Sequence, residues 1–153
     1  MNKAKNRLLS LAALLCFLLV LTGCRFETSM AYTFSVDNGD SIKVSLNTTG
    51  KYSLTSDVPF TISHDGEVLS HGAFIHGEAY AQYANAAKND ENSQLLDAGT
   101  KDGNEYVFWC YNDQEYNYAI SVAGSNTGIV LGNMVSEESA KECFNRLTIS
   151  LAE

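Results

Sequence analysis

Apolar and polar positions alternate in short runs through most of the chain. Tyr32, Phe34 and Val36 alternate with polar residues, Asn38-Gly39 follows, and Ile42, Val44 and Leu46 alternate again. The pattern predicts a strand, a tight primed turn and a second strand. Phe60, Ile62 and His64, then Asp65-Gly66, then residues 67–70 repeat it, and residues 72–77 (GAFIHG) extend or follow that strand. Asp102-Gly103 leads into residues 105–112 (EYVFWCYN), and Asp113-Gln114 turns the chain into residues 115–122. In that last run Tyr116, Tyr118, Ile120 and Val122 share one face, opposite Glu115, Asn117, Ala119 and Ser121, which predicts one buried and one wet face. Residues 105–111 are apolar on both faces, with Val107, Trp109 and Tyr111 on one and Tyr106, Phe108 and Cys110 on the other. That predicts a central strand covered on both sides.

Two stretches change to a helical period. Residues 78–88 (EAYAQYANAAK) are Ala-rich, with Tyr80, Tyr83, Ala84 and Ala87 at spacings of three and four. Residues 136–147 open on Ser136 as N-cap, carry Glu137 and Glu138 where the helix dipole favours acids, and set Ala140, Cys143, Phe144 and Leu147 in one stripe. Residues 89–93 (NDENS) read as a polar loop, and a single Pro with no Gly/Ser-rich stretch leaves no internal linker. Hairpins, a helix, further hairpins and a closing helix make an α+β domain on an antiparallel sheet.

The first 24 residues follow another logic. Lys3, Lys5 and Arg7 precede the 14-residue apolar run 8–21 (LLSLAALLCFLLVL). A bilayer span needs about 20 residues, so this run matches a secretory signal better than an anchor. Leu21-Thr22-Gly23-Cys24 then resembles the lipobox of bacterial lipoproteins. That resemblance implies diacylglyceryl transfer to the sulfur of Cys24 and cleavage before it. The expected organisation is a removed signal peptide (1–23), a lipidated tether (24–31) without period, and one α+β domain (32–153). Each acyl methylene adds roughly 0.8 kcal/mol, so two or three chains hold the protein on the extracytoplasmic face of a bacterial cell membrane.

Removing residues 1–23 changes the charge picture. Three of the ten basic residues go with them and none of the eighteen acidic ones, leaving a formal charge of −11. A body this acidic argues against nucleic-acid binding and against docking on anionic lipid through a basic patch. With 45% hydrophobic residues and fifteen Phe and Tyr, the chain is not disordered.

The order of elements resembles the PsbP-like fold. The matching features are Tyr52 and Phe60 near the start of the sheet, Gly103-Asn104-Glu105-Tyr106 entering the long strand, and a closing helix with Phe144, Leu147 and Ile149. The resemblance covers about residues 40–152. It implies an antiparallel sheet with a C-terminal helix and one further helix packed on it. The bland alternative is another antiparallel sandwich or barrel with a helix. The family includes an extrinsic photosystem subunit, a nuclear Ran-binding group and small bacterial lipoproteins, and so implies binding rather than catalysis.

Candidate chemistry is sparse. His64, His71 and His76 could join Asp65 and Glu78 at a metal, but alternation sets His71 on the face opposite His76 and no compact ligand motif is present. The expectation is no metal. Trp109, Tyr111, Tyr116 and Tyr118, with Tyr106, read either as a ligand-stacking face or as core. Cys110 and Cys143, left in a disulfide-permissive compartment, read as a bridge or as two buried thiols. There is no G-x-S-x-G elbow, and Ser63-His64-Asp65 is consecutive, so its side chains cannot converge along a strand. Walker and dinucleotide loops are missing, so no cofactor is expected. The sequence thus points to a non-enzymatic protein-binding or accessory module, held by the lipid on Cys24 near a membrane or envelope partner. Its rival is a small-ligand or wall-glycan module using the tyrosine-rich strands.

Overall fold

The computed structural model describes residues 28–152. The signal segment and Cys24 lie outside them. In chain order the elements are β1 (Ser29–Ser35), β2 (Ser41–Asn47), β3 (Tyr52–Leu54), β4 (Phe60–His64), β5 (Glu67–His76), α1 (Gly77–Asn89), β6 (Ser93–Lys101), β7 (Asn104–Tyr111), β8 (Glu115–Ser121), β9 (Thr127–Asn133), α2 (Glu137–Arg146) and β10 (Leu147–Leu151). Seven strands form one antiparallel sheet in the order β3-β4-β5-β9-β8-β7-β6, and β1-β2-β10 form a second. The expected α+β class and antiparallel pairing hold.

Turn chemistry explains most of the hairpins. Asp65 and Gly66 have φ of 51° and 86°, and Asp102 and Gly103 have 53° and 85°. These are the primed turns the Asp-Gly pairs predict, with the twist that neighbouring strands need. Two expectations fail in detail. Only Gly39 has positive φ in the first hairpin (93°). Val36 N donates to Asp40 O, and Gly39 N to Val36 O, each at 2.9 Å. The link is a three-residue loop with a glycine bulge, not a primed two-residue turn. The β7–β8 turn centres on Asn112 and Asp113 (φ 50° and 56°), one residue earlier than Asp113-Gln114.

The large sheet has two covered faces. On one, Phe60, Ile62, Phe108, Tyr118, Ile120, Ile129 and Leu131 pack against Ile42, Val44 and Leu46 of β2 and Ala140, Cys143 and Phe144 of α2. On the other, Val107, Trp109 and Ala119 lie under Tyr80, Ala84 and Ala87 of α1. Three expectations are corrected. The face of β8 predicted to be wet holds Ala119, fully buried because α1 crosses it. Strand β7 is covered on both sides but is second from the edge; β9 is central. The closing helix ends at Arg146, and Leu147 and Ile149 belong to β10. Strand β1 also begins at Ser29, inside the stretch read as tether.

Polar side chains fasten the two sheets together. Asp40 Oδ2 accepts from Thr127 Oγ1 (2.8 Å) and Asn126 N (3.0 Å), tying the first hairpin to the start of β9. Buried Asn104 donates to Ile149 O (2.8 Å) and accepts from Ala123 N (2.9 Å). The buried Asn104 amide therefore has both its oxygen and its nitrogen partnered, which keeps this cross-link net stabilising.

Candidate functional site

The structure does not bring the predicted aromatic residues onto one surface. Trp109 and Tyr111 lie on the α1 face, with Tyr83 of α1 6.1 Å from Trp109. Tyr116 and Tyr118 belong to the opposite face, where Tyr118 stacks between Phe108 (4.2 Å) and Phe144 (4.0 Å). Alternation on β7 and pairing with β8 impose this split. Burial pushes the Tyr118 hydroxyl far above its ordinary range. A shared ligand-stacking face made of Trp109, Tyr111, Tyr116 and Tyr118 is thereby corrected to core packing on two separate layers.

Cys110 and Cys143 are both free and buried, so the two-thiol reading stands and the bridge does not. Burial raises both thiols above their ordinary 9.0; for Cys143 a hydrogen bond with Ser70 offsets part of this. Thiols held protonated in this way are poor nucleophiles. The histidines stay apart. His64 stacks on Tyr52 (4.6 Å) and lies 3.6 Å from Asp65, while His71 and His76 are exposed on β5. Among the described residues no three His, Cys, Asp or Glu side chains gather at one point.

An open polar groove of about 330 Å³ lies beside the start of β1, lined by Thr28, Ser29, Asn47, Asn145, Arg146 and Thr148. Its one cation is already engaged. Arg146 donates to Glu142 (2.7 Å), Thr49 O (2.8 Å) and Asn47 O (3.2 Å), and its guanidinium lies 3.9 Å over the Tyr52 ring. That set anchors the end of α2 to the β2–β3 link and leaves little for a ligand.

The surface that stands out is apolar. Met134 is 74% exposed, Val135 59% and Val68 47%. They follow the same end of the β5–β9 ladder: Ser70 pairs with Asn133, Val68 stands two residues before Ser70, and Met134 directly follows Asn133. The exposure of Met134 and Val135 is set by the turn that precedes α2. Asn133 Oδ1 accepts from Val135 N (2.8 Å) and Ser136 N (3.3 Å), and its Nδ2 donates to Ser70 and Ser139, each at 3.0 Å. This knot turns the chain sharply from β9 into α2 and carries Met134 and Val135 outward. Glu67, Glu137 and Glu138 flank the three in sequence. Sequence reading missed this patch because residues 127–135 show no strict alternation. Asn133 followed at 136 by a helix cap was the available signal.

Compared with protein-family models and with curated proteins, the chain matches none.

Proposed function

We propose that the chain is a lipid-tethered, extracytoplasmic module of PsbP-like architecture that acts by binding a membrane or envelope protein. The observation that carries the reading is the Val68–Met134–Val135 patch. Large apolar side chains grouped on an otherwise acidic surface are the usual mark of a protein contact. Glu67 and Glu138, its neighbours in sequence, suit a partner with an apolar centre and a basic rim. A helix on each face of an antiparallel sheet, with α2 closing the chain before one last strand, supports the PsbP-like part. The buried, protonated thiols support binding over covalent chemistry. The tether reading adds position. Four residues separate Cys24 from β1, a reach of at most about 18 Å at roughly 3.5 Å per residue. On this reading the start of β1 sits close to the bilayer.

The test is in-cell crosslinking of the full chain, followed by mass spectrometry of what is recovered from the membrane. Wild type should bring down one protein in near-equal amount. Met134→Asp with Val135→Asp should cut that recovery at least tenfold with membrane retention unchanged. Equal recovery with the double variant, or nothing above background with wild type, would overturn the proposal.

A further inference from the structure

Among the described residues each sheet has two outer strands, and three of these four edges carry features that discourage further pairing. Strand β3 is only three residues long. Strand β6 has a bulge between Leu95 and Asp97 and ends on Lys101. On β10 the outward carbonyls of Leu147 and Ile149 accept from Lys101 Nζ and Asn104 Nδ2. Short strands, bulges, charges and capping side chains are the standard protections of a sheet edge.

Strand β1 has none of them. It runs seven residues, SMAYTFS, with no charge, proline or bulge, and among the described residues only β2 pairs with it. Thr48 N donates to Thr28 O (2.8 Å) and Val36 N to Asp40 O (2.9 Å), so the even-numbered residues of β1 turn their backbone to β2. The N–H and C=O groups of Ser29, Ala31, Thr33 and Ser35 therefore point outward. Such a row is a template for another strand.

We propose that this edge pairs, antiparallel about a two-fold axis at Tyr32, with β1 of a second copy of the chain, making one six-stranded sheet from two three-stranded ones. Two observations select a second copy. The strand is self-complementary: Met30, Tyr32 and Phe34 share the core face and Ser29, Ala31, Thr33 and Ser35 the other. The two-fold register sets Met30, 37% exposed, opposite Phe34 of the other copy, and Tyr32 opposite Tyr32. The second is charge. Two chains of formal net charge −8 repel over most of their surface, and this strip carries no charge at all. The tether reading of the preceding section adds that both edges sit at one height above a membrane, at raised local concentration; the pairing itself does not depend on it.

The test uses the full chain in membranes of the producing cells. The central pair does not share hydrogen bonds, so its Cα atoms approach to about 4.5 Å, within disulfide reach. Under mild oxidation Tyr32→Cys should convert most of the chain to a disulfide dimer, while Thr100→Cys on β6 should give little; the buried Cys110 and Cys143 stay silent. With Tyr32 intact, Ala31→Lys plus Thr33→Lys sets like charges opposite one another and should lower dimer recovered by amine crosslinking at least tenfold, with thermal unfolding unchanged. No excess of dimer for Tyr32→Cys over Thr100→Cys, a mixed disulfide with a different protein, or a dimer that survives the lysine pair would each overturn the proposal. Fractionation of the same cells separates the two readings. A dimer in the soluble fraction keeps the edge pairing and removes the tether. A membrane-bound monomer does the reverse.

Discussion

The two faces of the seven-stranded sheet are built on different principles. One is covered by a second sheet and by α2, and its large side chains interlock: Phe108, Tyr118 and Phe144 stack in series, and Phe34, Phe60 and Phe74 meet at 5.2–5.9 Å. The other is covered by α1 alone, through one indole and a set of alanines and half-buried tyrosines. Full burial of a large apolar side chain stabilises by roughly 1.5–3 kcal/mol. The first face holds many such residues and the second holds two, Val107 and Trp109. Global stability therefore resides on the α2 face, and α1 is a lighter cover able to open by itself.

Substitutions on the two faces should separate these roles. Phe108→Ala, at a fully buried position between Tyr118 and the core, should cost about 3–5 kcal/mol and bring the whole molecule near unfolding. Chemical denaturation should show a lower midpoint with one transition. On the other face, Ala119→Leu overfills the space under α1 and should cost about 1–3 kcal/mol. The cost should appear locally: amides of residues 77–89 should lose exchange protection before those of β8 and β9. Uniform loss across both would mean that α1 belongs to the main cooperative unit.

What could be read from the sequence depended on how local its cause was. Asp65-Gly66, Asp102-Gly103 and the stripe of α2 are local signals, and they hold because turn dihedrals and helix period need no tertiary context. Strand β9 escaped because glycines at 128 and 132 interrupt its alternation. A Cβ on Gly128 would sit 3.0 Å from both Ile120 O and Ile75 Cγ1, so the crowding of three strands requires that gap. Strand β6 escaped because its bulge breaks the period. The end of the closing helix was misplaced for a similar reason. Leu147 continues the apolar spacing of α2, and only the pairing of Leu147 with Leu46 and of Ile149 with Val44 makes the segment a strand. The aromatic residues were visible by type, but α1 over Trp109 and the closing helix over Tyr118 decide their burial, and no local pattern encodes those crossings.

The smallest expected effects lie at the helix starts, and they test the same contrast. On α2 the Ser136 hydroxyl accepts from Ser139 N at 3.1 Å, satisfying one of the free amides of the first turn. On α1 the N-cap is His76, in extended backbone, with no side-chain capping bond; Gly77 N finds Asn126 O, but the next amides have no side-chain oxygen. Ser136→Ala should cost about 1 kcal/mol. His76→Asp supplies an acceptor and a negative charge at the positive end of the dipole, and should stabilise α1 by about 0.5–1 kcal/mol. The readouts should differ even where the energies are close. Helix α2 is part of the main core, so losing its cap should lower the Tm by about 3–5 °C. A stronger cap on α1 should slow amide exchange within residues 77–89 while the Tm barely moves, because global unfolding begins from a state in which α1 has already opened. An equal and opposite Tm shift for the two variants would mean that both faces of the sheet melt as one.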